Sequence, residues 1–207
     1  PEMKVDLRDA GIGVSLIMRG PREFSGGKVV DALVSHVDVF PTLCEYAALE
    51  QPGWLEGKSM LPLLRGETTA IRDELFAEVN YHAAYEPKRG VRTERWKYIR
   101  NYGDYHQAVV SNVDDCPGKK LWVEHGWRDR EVPREQLYDL LFDPHEAHNL
   151  AGSAAHRTTL GEMRARLDRW MTSTHDPLLN GPVPAPSGAK LNRPDQLSFT
   201  EPRFTVP

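Results

Sequence analysis

The sequence predicts an α+β fold: a small antiparallel sheet packed on a long C-terminal helix, preceded by the last strand and helix of an α/β domain. Three observations carry this expectation. Between positions 73 and 140, short runs rich in β-branched and aromatic residues alternate with turn residues, as in a few antiparallel strands. Leu160, Met163, Leu167 and Trp170 then recur at helical spacing, and such a stripe must be buried against another layer. Near the start, Gly13–Met18 is a continuous apolar run of the kind found in strands buried on both faces of a parallel sheet. A strand of that kind needs neighbours and covering helices, and the rest of the sequence supplies no convincing strand–helix alternation. The chain is therefore expected to be the C-terminal part of a larger protein. Residues 1–72 then form the end of an α/β domain, 73–174 an α+β subdomain and 175–207 a Pro-rich tail.

A chain of 207 residues is long enough for one large domain or two small ones. At that size roughly 70% of the unfolded surface becomes buried. The 40% hydrophobic and 27% charged content is ordinary for a globular protein. A net charge of −4 offers no polycation for nucleic acid or an anionic membrane, and no apolar run approaches a membrane span. The two cysteines, Cys44 and Cys116, make neither a disulfide scaffold nor a zinc pattern.

Taken in order, the segment from Lys4 to Gly13 leads into the apolar run, and the Gly-rich stretch Arg22–Lys28 lacks phosphate-loop spacing and reads as a turn. Ser35 and Asp38 have the spacing of a capping box, and Pro41 suits a first helical turn. Val37, Phe40, Leu43 and Ala47 define an apolar face on a helix running to about Leu49, where Gln51-Pro52-Gly53 breaks it. Cys44 falls on the apolar side, as a buried structural thiol would. Glu56–Gly66 is a short apolar turn between glycines, with a packing role. Leu75–Val79 reads as a strand, Gly90–Thr93 and Trp96–Arg100 as a hairpin around Glu94-Arg95, and Gln136–Leu140 as a fourth strand. Arg100–Pro133 is a long excursion, a common place for specificity elements, and its Asp114-Asp115 pair is a weak cation signal. Asp143-Pro144 sets a tight turn and Asn149 caps local backbone. Ser153 is expected to cap the long helix. The tail from His175 should wrap the surface in extended form, be partly disordered, or cover a neighbouring subunit of a homo-oligomer.

The order of these motifs resembles the sulfatase family of the alkaline phosphatase superfamily. Ser35–Leu43 reads S-x-x-D-x-x-P-T-L, and Lys4–Ile17 is similar to K-x-x-L-Y-[DE]-x-G-x-x-V-P-L-I, with Arg8 and Ser15 at the usual Tyr and Pro. Gly57–Gly66 is similar to G-x-S-L-x-P-L-L-x-G, Val91–Ile99 to V-R-T-x-R-[WY]-K-[YL]-I, and Leu137–Ala151 to L-Y-D-L-x-x-D-P-x-E-x-x-N-L-A. The resemblance spans positions 4 to about 172 and implies that the opening strand and helix end an alkaline-phosphatase-like domain. It also implies sulfate-ester or N-sulfate hydrolysis, with Lys4 contacting the sulfate. A compact ammonium suits that role, since it neutralises charge that develops on the oxygens.

In this family the nucleophile is a formylglycine made from the Cys of C-x-P-x-R, and calcium neutralises sulfate oxygens. Neither Cys44 nor Cys116 fits that motif, so both groups, and the catalytic N-terminal region holding them, are expected outside this chain. No metal ligand is assigned within it. The loop with His82, Lys88 and Arg89 is similar to that of the sulfamidase-like branch, where the region shapes the substrate pocket. These three side chains could meet an anionic sugar, or belong to a polar surface loop. Two other readings stay open: a phosphonate or phosphodiester hydrolase of the same superfamily, and a non-catalytic binding or assembly module.

Overall fold

The computed structural model describes residues 5–207. The chain divides into two compact units. One comprises the segment ending at Gly13, Phe76–Val91 and Arg95–Pro207; the other comprises Val14–Leu75 with Arg92–Glu94.

The larger unit is built on a four-stranded sheet in the order β1 (Glu74–Tyr81), β2 (Tyr85–Thr93), β3 (Trp96–Asn101) and β4 (Glu135–Asp139). Strands β3 and β4 are antiparallel, with Tyr98 opposite Leu137 and Lys97 opposite Tyr138. The strand period of two then sorts the side chains onto two faces. Val91, Tyr98 and Leu137 pack on Leu160, Met163, Leu167 and Met171 of the long helix, Arg157–Ser173, with Phe76 stacked on Trp170 at 4.8 Å. On the other face, Ile99 and Tyr138 pack on Leu7. This is the sheet-on-helix α+β arrangement that the two periodicities predict. The helix begins after a 3-10 turn, Ala154–His156, rather than at a capping Ser153 side chain.

Local motifs explain the chain reversals. In the β2–β3 hairpin, the Arg95 guanidinium forms a fork on Asp139, with Nε to Oδ1 at 3.0 Å and Nη2 to Oδ2 at 2.7 Å. Asn149 accepts from the Leu137 and Ala151 N–H groups and donates to the Glu135 carbonyl, so the residues after β4 are tied back to it. Beyond the long helix the tail runs through turns and short bonded pieces. Asp176 caps a 3-10 turn at Pro177–Asn180, and a two-residue ribbon pairs Lys190–Leu191 with Phe204–Thr205.

The excursion between β3 and β4 is more ordered than its sequence suggests. It carries a helix at Pro117–Glu124, and Ala108–Val113 is buried.

The smaller unit carries helices at Val39–Tyr46 and Leu61–Arg65. The capping box forms: the Asp38 carboxylate accepts from the Ser35 N–H at 2.7 Å and also from the Lys58 N–H at 2.8 Å and the Arg72 guanidinium. Cys44 is buried as expected. Two expectations change. The first helix ends at Tyr46, and its buried residues are Pro41, Thr42 and Cys44, whereas Val37, Phe40 and Leu43 are exposed. Helical spacing marks a shared face but not what covers it. Gly13–Met18 forms no strand, and Ile17 is 89% exposed, because no strand among the described residues pairs with it.

Candidate functional site

A cleft of about 290 Å³ opens on the sheet face opposite the long helix. Its walls come from four separated stretches: Val5–Arg8, β2, the buried part of the excursion, and Trp127–Tyr138. The N-terminal wall is anchored by charge. Lys97, fully buried on β3, donates to the Leu7 carbonyl at 3.0 Å and to the Asp9 carboxylate. Glu146 accepts from the Asp9 N–H and lies 3.6 Å from the Lys97 ammonium. Burial holds the Glu146 carboxyl above its ordinary range, partly offset by Lys97. The D-P-x-E motif therefore does structural duty at its glutamate, fixing the segment that ends in the cleft.

Among the described residues, three cations line the cleft. Arg8 is clamped by Asp6, whose Oδ2 accepts from Nε at 2.7 Å. Lys88 pairs with Glu86. Arg130 rests over the Trp122 ring, 5.8 Å from its centroid. Tyr138 donates to Gln136 at 2.6 Å, and burial pushes its phenol up to about 12, so it stays a neutral hydrogen-bonding group at working pH. Glu86 is held from the other side by Asn112 Nδ2 at 2.9 Å, and Asn112 Oδ1 accepts from the Ala83 and Ala84 N–H groups. Asn112 thus fixes both the Glu86–Lys88 pair and the β1–β2 turn.

The residues singled out from sequence fall in different places. Lys4 lies outside the described residues; Val5, next to it in sequence, lines the cleft. Lys88 also lines the cleft. His82 is exposed on the turn after β1 and is not part of the cleft wall. Arg89 points to the opposite sheet face, fully buried. Its Nη2 donates to Asp176 Oδ1 at 3.0 Å, and its Nη1 to the Val79 and Lys88 carbonyls and Asn80 Oδ1. Its donors are spent inside the fold, where they fasten the start of the tail to β2. Arg8, Asn112, Arg130 and Tyr138 escaped the sequence reading. Alternation along Glu86-Pro87-Lys88-Arg89 could have separated Lys88 from Arg89; nothing local marks Arg130.

The described residues contain no group of three His, Cys, Asp or Glu side chains placed to hold a metal. Asp115 is engaged by Lys119 at 2.7 Å and by Ser198. Neither cysteine lies in a C-x-P-x-R motif, and the described residues that line the cleft present cations and hydrogen-bonding groups.

The family described as N-sulphoglucosamine sulphohydrolase, C-terminal, matches residues 4–120. The chain belongs to this sulfatase family. Among curated relatives, an ulvan-active sulfatase of Formosa agariphila is 29% identical over 213 residues, covering 99% of this chain and 42% of the relative. Human N-sulphoglucosamine sulphohydrolase is 25% identical over 207 residues, covering 88% of this chain and 41% of the relative. A solved 2-O GAG sulfatase superposes with a TM-score of 0.52 at 28% identity, over 72% of this chain and 27% of that one. The sulfatase C-terminal chain thus spans less than half the length of these relatives.

Proposed function

We propose that this chain is the sugar-recognising C-terminal part of a sulfatase acting on sulfate esters or N-sulfate of an anionic sugar. In the intact protein, residues 1–72 belong to the end of the catalytic domain, 73–174 to the C-terminal subdomain and 175–207 to its tail. The observation that carries this reading is the cleft, which gathers Arg8, Lys88 and Arg130 beside the segment that continues into Lys4. Polar groups held rigidly around a concave site are the chemistry that orients an anionic sugar. In this reading Lys4 neutralises the sulfate oxygens, and Lys88 meets the anionic or hydroxyl edge of the ring. His82, exposed on the turn outside the cleft wall, meets ligand that extends beyond the cleft. Arg89 acts at one remove, by holding β2. Residues in the rest of the protein would hold formylglycine and calcium, which would supply the nucleophile and charge neutralisation.

The test is sulfate release from sulfated sugars and an aryl sulfate by the intact protein carrying this chain, beside an aryl phosphodiester. Sulfate release should dominate, and Lys4→Ala should lower its kcat/KM by about 10²–10³-fold, the usual effect of removing one charge-stabilising donor. Faster phosphodiester cleavage, or an unaffected Lys4→Ala enzyme, would overturn the reading.

A further inference from the structure

The segment that continues into Lys4 is a strap, residues 5–9, laid on the sheet face opposite the long helix. Leu7 seats it, with its side chain buried on Ile99 and Tyr138. Strand β2 makes room at Gly90, where an added Cβ would sit 3.4 Å from Leu7 Cδ1 and 3.6 Å from Leu7 Cβ.

Lys97 and Glu146 tie the strap down by charge. The buried Lys97 ammonium donates to the Leu7 carbonyl at 3.0 Å and to the Asp9 carboxylate. Glu146 gives one carboxylate oxygen to the Asp9 N–H. Its other oxygen, Oε1, is buried, accepts no hydrogen bond among the described residues and faces the Lys97 ammonium at 3.6 Å. Buried opposite charges separate only by stranding each other, so the strap is held to the sheet from two sides.

The turn that presents Glu146 is itself braced. The Asp143 carboxylate accepts from the Ala147 N–H at 3.1 Å and the His148 N–H at 2.8 Å, and the Asp143 carbonyl accepts from the Glu146 N–H at 3.0 Å. Glu146 is thereby kept at φ 52°, a left-handed conformation that a residue other than glycine adopts at a cost. Val5, next to Lys4, stands at φ 73°, rarer still for a β-branched residue. Packing of Leu7 alone requires neither strained position.

Lys4 is three residues from Leu7, at most about 11 Å of extended chain. An ammonium that neutralises charge in a transition state must be held within about 0.5 Å of its productive place. A misplacement of about 1 Å costs up to about 100-fold in rate.

We infer that Lys97 and Glu146 are positioning residues for Lys4, aiming it at the sulfate through the strap they hold. The inference rests on the sulfate-contacting role proposed for Lys4 above and adds the groups that act through it. The test is a double-mutant cycle on aryl-sulfate hydrolysis by the intact protein, with Glu146→Leu made in the parent and in the Lys4→Ala background. Glu146→Leu should lower kcat about 10–100-fold when Lys4 is present and less than about twofold when it is absent, because its effect passes through Lys4. A merely structural role would lower both backgrounds by the same factor. Thermal melting reports whether the variants fold. Should Glu146→Leu unfold, Asp9→Ala, at a partly exposed position on the strap itself, carries the same cycle and the same expectation. Equal losses in the two backgrounds, or no loss in either, would overturn the positioning role and leave that of Lys4 standing. A Lys4→Ala enzyme as fast as the parent would overturn the Lys4 reading, and this inference with it.

Discussion

Neighbouring side chains on β2 do opposite work. Lys88 lines the cleft, while Arg89 is buried against Asp176. A buried ion pair of this type is costly to break on one side, because the remaining charge is stranded. Burial raises the Asp176 carboxyl, but the Arg89 guanidinium and the Leu178 N–H outweigh it and hold the group below its ordinary 3.8. A depressed carboxylate contributes stability above its unfolded pKa and loses it as pH falls through the folded value. Asp176→Asn should therefore cost about 3–5 kcal/mol in urea unfolding at pH 7. The gap from the parent protein should narrow below about pH 4, as the parent's own Asp176 takes up its proton. A gap independent of pH would show that the pair is not ionised in the folded state.

At the scale of elements, close packing explains a motif that sequence assigns only to packing. In the smaller unit Gly57 runs against the chain at Val37, where an added Cβ would sit 1.9 Å from the Val37 carbonyl oxygen. The next residue, Lys58, donates its N–H to Asp38, so the backbone cannot move away without breaking the capping-box network. Gly57→Ala should destabilise by about 1–3 kcal/mol or more, seen as a lower thermal midpoint. Strands, the hairpin and the long helix were legible because their signals are local: alternation, turn chemistry and a 3.6-residue stripe. Burial of the helix after Ser35 was not, because Val37, Phe40 and Leu43 share a face that the described residues leave exposed. The strand expected at Gly13–Met18 failed for the same reason, since a strand exists only with a partner to pair with.

At the scale of the molecule, the sulfatase C-terminal family was readable from motif order over most of the chain, whereas the cleft was not. Its walls lie at positions 5–8, 86–88, 108–113 and 127–138, which only the fold brings together. Arg130 sits in a stretch without periodicity, and Asn112 acts through two backbone N–H groups that no pattern announces. Lys97 and Glu146 belong to matched motifs, yet their task is visible only once both are seen to hold Leu7 and Asp9. We propose that this cleft receives a sulfated sugar, and hydrogen–deuterium exchange of the intact protein, with and without a heparin or ulvan tetrasaccharide, tests this. Slowed exchange should concentrate at residues 5–8, 86–88, 108–113 and 130–138. Protection confined to Val14–Leu75, or no change at the cleft with saccharide bound, would contradict it.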